Sequence, residues 1–173
     1  MTTRPEATEY APYYGKYISL VPDGDILALL EEQLRGTTAL LSSVSEEQAE
    51  YRYAPEKWTV KQVVGHLTDT ELIFAYRALR ISRNDATPIE GFEQDDYVRY
   101  GPFETCKMTD LVEDFAAVRR ATLSLFRRLD PDAWQRRGTA NRNEVTVRAL
   151  AYTSAGHELH HLAILKDKYH LVA

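Results

Sequence analysis

The chain has 173 residues, 44% of them hydrophobic and 27% charged, a composition that suits one globular domain with a sizeable core. Its net charge of −5 argues against a nucleic-acid partner, which needs a basic face, and the basic doublets Arg119-Arg120, Arg127-Arg128 and Arg136-Arg137 read as solvated helix faces. A single cysteine, Cys106, excludes an intrachain disulfide. Met1 to Glu9 is polar, so no signal peptide is expected, and no apolar run approaches the ~20 residues that span a bilayer; a cytoplasmic location is expected.

Residues 1–22 carry Tyr10, Tyr13, Tyr14 and Tyr17 among Pro12, Gly15 and Pro22, which predicts an irregular arm packed over the domain. A first helix is expected from a cap at Asp23 or Asp25, with Ile26, Leu27, Leu30, Leu34 and Leu41 forming its apolar stripe and an end near Ser42 to Ser45. A second begins at Thr59, where Thr59 and Gln62 form a capping box, and runs to about Arg83. Residues 84–108 read as a long connector whose acidic, aromatic middle, Gly91 to Tyr97, is a candidate wall for a pocket and equally a plain crossover. A third helix is expected from about Thr109 to Leu129, stopped by Asp130-Pro131. Arg136 to Asn143 reads as a polar loop, and no strand is predicted; the run Tyr17 to Val21 is too short to build a sheet alone. The fourth helix, capped at Asn143 or Thr146, spans about Val147 to Tyr169. Four long amphipathic helices predict an all-α single domain over 1–173, a four-helix bundle whose two long connections permit a topology other than simple up-down.

The fourth helix contains Gly156-His157-Glu158-Leu159-His160-His161-Leu162. His157 and His161 are four apart and share a helix face, so both imidazoles can reach one metal ion at ~2.0–2.1 Å. His66 is the only other histidine in a helix interior and completes a set of three if the second and fourth helices are neighbours. A structural histidine is the competing reading of His66. His160 points about a third of a turn away, and His170 lies near the helix end. The stretch also matches H-E-x-x-H, the zinc peptidase signature, with Glu158 as base. The extended form of that motif needs a turning glycine where Ile164 stands, and only twelve residues follow His161.

Trp58-Thr59-Val60-Lys61, Gly65-His66-Leu67-Thr68-Asp69-Thr70-Glu71, Gly91 to Asp95 and Gly156 to Leu162, in this order, resemble the DinB-like (YfiT-like) superfamily, whose members are regarded as metalloenzymes. The resemblance covers nearly the whole chain. It implies a four-helix bundle with a long crossover connection, frequent dimers, and a divalent metal, zinc or nickel, held by His66, His157 and His161. It further implies a metal-dependent transferase using a low-molecular-weight thiol such as bacillithiol or mycothiol, or a hydrolase, with a small-molecule substrate. The alternative is a non-catalytic, stress-related metal- or ligand-binding bundle. Asp69, Glu158 and His160 stand as candidates for groups that orient the ligands, with Asp69 and Glu71 equally open to ion pairs with Arg77 or Arg80.

Overall fold

The computed structural model describes residues 3–171. Four long helices dominate it: α2 (Ile26–Ser42), α4 (Val60–Ser82), α6 (Met108–Phe126) and α8 (Val147–Tyr169). Shorter ones connect them: α1 (Gly15–Ile18), α3 (Glu46–Ala49), α5 (Gln94–Tyr100) and α7 (Pro131–Gln135). The expected caps form. Asp25 accepts from Leu27 N at 2.9 Å, Thr59 and Gln62 close a reciprocal box, and Thr146 accepts from Ala149 N at 3.1 Å. Each satisfies a backbone N–H that an isolated helix end leaves orphaned.

α4 packs against α6 and α8, and α2 packs against the same two. The first two long helices therefore lie on a diagonal of the bundle, as do the last two. A short loop cannot join diagonal helices, which accounts for the long connections from α2 to α4 and from α6 to α8; the connector between α4 and α6 joins neighbours. The core divides into two apolar clusters. One is built on Ile26, Leu30, Phe74, Ile81, Phe126 and Leu150. The other is built on Leu41, Val60, Val64, Leu111 and Leu165.

Four segments depart from the sequence expectations. The arm is not irregular throughout: Tyr17 to Val21 forms the end of α1 and a turn, not a strand-like run. The connector is not all loop, because Gln94–Tyr100 is helical, with Asp95 and Asp96 in its first turn where the dipole favours them. The polar segment after α7 is a hairpin, β1 (Arg137–Ala140) paired antiparallel with β2 (Asn143–Thr146). Its two-residue turn puts Asn141 and Arg142 at φ of 48° and 63°, the conformation that matches strand twist and that asparagine tolerates. The connector joins this hairpin through Ile89 N to Thr139 O at 2.9 Å and Asn141 N to Ile89 O at 2.8 Å. Finally, Arg119 is not on a solvated face. It is fully buried, donating to Glu71 Oε1 and Oε2 at 2.6 and 2.5 Å and to Glu158 Oε2 at 2.5 Å. No helix among the described residues is long and apolar enough to cross a membrane.

The arm is pinned at Glu9, which accepts from Arg148 Nε at 2.7 Å and from the Thr146 hydroxyl at 2.8 Å at the start of α8. Burial pushes the Glu9 carboxyl up; Arg148, the Glu6 amide and Thr146 outweigh it and hold it at about 2, below the ordinary 4.5. Unfolding raises that affinity for a proton. The pair's contribution is complete above pH 4.5 and is lost as pH falls from 4.5 toward 2. Glu9→Gln is expected to cost about 2 kcal/mol at neutral pH, a deficit that closes below pH 4. Denaturant melts of both proteins across that range check it.

Candidate metal centre

α4 and α8 run side by side, and each carries a glycine immediately before the histidine that faces its neighbour. A Cβ on Gly156 would lie 2.1 Å from the Tyr17 carbonyl oxygen, so glycine lets α1 press against α8 beside His157. A Cβ on Gly65 would lie 2.2 Å from the Phe103 ring. The two glycines fit α1 and Phe103 around the site, and the packing of α4 on α8 brings three imidazoles together. His66 Nε2 is 3.1 Å from His157 Nε2, which is 3.2 Å from His161 Nε2. The ligating atoms of all three lie within 4.8 Å of one another.

The donor set fits a divalent transition metal. Three nitrogens that each lie ~2.0–2.1 Å from a tetrahedral ion are about 3.3 Å apart, close to both short separations here. His66 and His157 are buried, and His161 is nearly so. Burial holds His66 at about 4 and, with help from His66, His160 and Lys16, His161 at about 3. Burial, followed by the neighbouring His161 and His66, holds His157 well below 6.5. All three are therefore neutral at pH 7, the protonation state a ligand requires. Neutral imidazoles converging nitrogen to nitrogen can form N–H···N bonds at these separations, but all three meet at the single Nε2 of His157, and a cation satisfies the three nitrogens at once.

The three histidines proposed from spacing come together; the accessory candidates do not all join them. Asp69, half buried and pushed up by desolvation, forms no hydrogen bond or ion pair among the described residues. Glu158 is committed to Arg119 and to the Thr37 hydroxyl rather than to a histidine. Both of its oxygens are taken up by these partners, so the peptidase arrangement, with this carboxylate free to act as base beside the histidines, is not formed. Glu71 pairs with Arg119, and Arg80 pairs with Asp85, so neither expected alternative pairing of Asp69 or Glu71 occurs. His160 meets His161 edge-on at 5.1 Å and Tyr17 at 5.3 Å. His170 is exposed.

The sequence reading missed Thr70, whose hydroxyl lies 3.4 Å from His66 Nδ1, one turn along α4. The i, i+4 spacing was legible, but its significance depends on the ring being turned that way. It also understated the arm. Tyr17 packs edge-on to His157 at 5.3 Å, and its hydroxyl lies 3.3 Å from that of Tyr13. Trp58 is more than an entrance anchor, since its ring stands 4.8 Å from His66.

His66 and His157 form part of the wall of an open cavity of about 400 Å³, bordered by the arm, α4, α8, the connector and the hairpin tip. Phe92 to Asp95 of the connector line it, together with Asn141 and Asn143 of the hairpin. A second opening of about 330 Å³ reaches His161 past Trp58 and Tyr169.

The DinB superfamily model matches residues 29–165. A provisionally named metal-dependent hydrolase of Oceanobacillus iheyensis is 24% identical over 128 residues, 73% of each chain. YfiT from Bacillus subtilis, provisionally assigned as a metal-dependent hydrolase with an unusual four-helix bundle topology, superposes with a TM-score of 0.70 at 18% identity. That match covers 92% of this chain and 87% of YfiT. The mycothiol-dependent maleylpyruvate isomerase superposes with a TM-score of 0.67 at 15% identity. The match takes in 84% of this chain but only 61% of the isomerase. At these identities the solved structures speak for the fold alone, and it is the sequence match over most of the bundle that places this chain in the DinB superfamily.

Proposed function

We propose that this protein is a metal-dependent enzyme that holds one divalent transition ion, zinc or nickel, on His66, His157 and His161. Its substrate is a small molecule admitted through the 400 Å³ cavity. The observation that carries the reading is the convergence of three buried, neutral imidazole nitrogens at the wall of that cavity. When bound, such an ion supplies Lewis acidity and lowers the pKa of a coordinated water or thiol. The residues themselves do the rest. Thr70 orients the His66 ring, and Tyr17 backs His157, while the cavity offers a substrate both aromatic and polar side chains. The names of the relatives support hydrolysis or the use of a low-molecular-weight thiol, and both chemistries need an anion generated at neutral pH. A non-catalytic metal carrier is the second reading.

Elemental analysis of untagged protein tests the proposal. About one zinc or nickel per chain is expected in the wild type, with less than a tenth of that in His66→Ala at unchanged helicity. Metal-free wild-type protein, after purification in metal-containing buffer, overturns it. Full occupancy without turnover across ester, amide and thiol–electrophile panels favours the carrier.

A further inference from the structure

Three arginines are buried in this protein, and two of them meet carboxylates: Arg119 pairs with Glu71 and Glu158, and Arg148 pairs with Glu9. The third, Arg77, does not. It is 2% exposed, yet its one hydrogen bond runs from Nη2 to the Glu90 carbonyl at 3.1 Å. Its Nε has no partner, and no carboxylate approaches it among the described residues. Taking a guanidinium out of water costs several kcal/mol unless a counter-charge and hydrogen bonds replace the water. One carbonyl uses one of five donors. As a purely structural tie to the connector, Arg77 would be a poor choice, because a neutral donor could hold the Glu90 carbonyl without the charge.

Arg77 lines the cavity of the histidine centre. His66, Thr70, Phe74 and Arg77 all line it and follow one face of α4, so the cavity extends along roughly three turns of that helix. The Cα–Cβ bond of a helical residue tilts toward the N-terminus, which for Arg77 is the end that carries His66, and Arg77 borders the same cavity as His66 and His157. Phe74 stands between the two ends on α4, the Tyr14 ring lies 6.2 Å from it, and Phe92 lines the same cavity. We infer that Arg77 is the anchor for a carboxylate of the ligand. The ligand is then a small carboxylic acid with its anionic head on the guanidinium fork, an apolar body between the three rings, and its far end toward His66 and His157. Two coplanar carboxylate oxygens match the fork. Glu93 and Asp95, exposed at the rim, weigh against a doubly charged phosphate more than against a monoanion. The placing of the far end rests on the metal reading; the anchor does not.

The probe pair is 4-phenylbutyrate and its neutral amide, with inorganic phosphate as a third arm. Each is titrated into metal-loaded protein while the Arg77 Nε–Hε signal is followed by NMR, assigned by its loss in Arg77→Lys. The acid is expected to move that signal and to bind about tenfold more tightly than the amide. Arg77→Gln, which can still donate to the Glu90 carbonyl, removes the preference, and His66→Ala keeps it. An unmoved Arg77 signal at tens of millimolar acid overturns the inference on wild-type protein alone, whatever the variants do. Equal binding of acid and amide overturns it too, as does a response to phosphate only. If the preference survives Arg77→Gln and disappears in His66→Ala, the acid sits on the metal, and the anchor falls while the centre stands. If it disappears in Arg77→Gln and survives in a protein found to hold no metal, the anchor stands while the centre falls.

Discussion

Arg119→Met is expected to destabilise the protein by about 3–5 kcal/mol, the largest loss from any single replacement of a charged residue in this fold. Arg119 lies on α6 and reaches Glu71 on α4, Glu158 on α8 and the Leu30 carbonyl on α2, the last at 3.2 Å. Thr37 of α2 donates to the other oxygen of Glu158. One cation therefore ties together all four long helices at a level where no water reaches. Removing it strands two buried carboxylates on adjacent helices, each desolvated and each repelling the other. Burial already pushes the Glu158 carboxyl up against the opposing pull of Arg119. Glu158→Gln is expected to cost much less, since the two-pronged Arg119–Glu71 pair survives it. Replacing Arg119, Glu71 and Glu158 together by methionine or leucine is expected to recover most of the loss, because the net worth of a buried ion cluster over an apolar one is small. Urea denaturation of the three variants measures this. An Arg119→Met protein within 1 kcal/mol of wild type, on the scale set above, would show the brace to be incidental. The brace also bears on the site, since Glu71 lies five residues past His66 and Glu158 immediately follows His157. Holding those carboxylates fixes how α4 and α8 are rotated, and with that the direction in which the histidines point.

Zinc or nickel at a thousand times its dissociation constant is expected to raise the unfolding free energy by about 4 kcal/mol over chelator-treated protein. His157→Ala should abolish the increment and weaken metal binding by more than about a hundredfold. The gain follows from linkage: the three nitrogens meet only in the folded chain, so the ion binds the native state and scarcely the unfolded one. His157 is the sharpest place to cut because both short nitrogen separations involve it. The pH dependence has a definite sign. In the metal-free fold, burial holds His66 at about 4 and, with His66, His160 and Lys16 beside it, His161 at about 3. Both therefore remain available to a metal between pH 6.5 and 4, where unfolded histidines are already protonated. Metal-linked stabilisation should be complete above pH 6.5, persist at pH 5, and be lost as pH falls further. Calorimetry with and without metal at each pH reads it directly. Release already complete at pH 6 would mean that the imidazoles are hydrated and that the centre is not the buried one described.

The local rules were legible in the chain because they act over a few residues. The Thr59–Gln62 box, the Asp25 and Thr146 caps and the four-residue spacing of His157 and His161 need no partner helix to be recognised. The helical periodicity placed α2, α4, α6 and α8 within a few residues of their ends, and the resemblance over Gly65 to Glu71 and Gly156 to Leu162 pointed to the three histidines together. The hairpin escaped because two four-residue strands around Asn141-Arg142 are too short for alternation to stand out. What only the tertiary structure decided is which polar groups are taken out of water and what they then meet. In sequence Arg119, in a basic doublet, looks like an ordinary surface residue, Glu158 like a peptidase base or a group that orients a ligand, and Arg77 like an ion-pair partner of Asp69 or Glu71. One proves to be a brace across the bundle, one is held by that brace, and one lies buried in a cavity wall without a counter-ion. Burial is set by which helix faces meet, and in a bundle with diagonal neighbours no stretch of local sequence specifies that pairing.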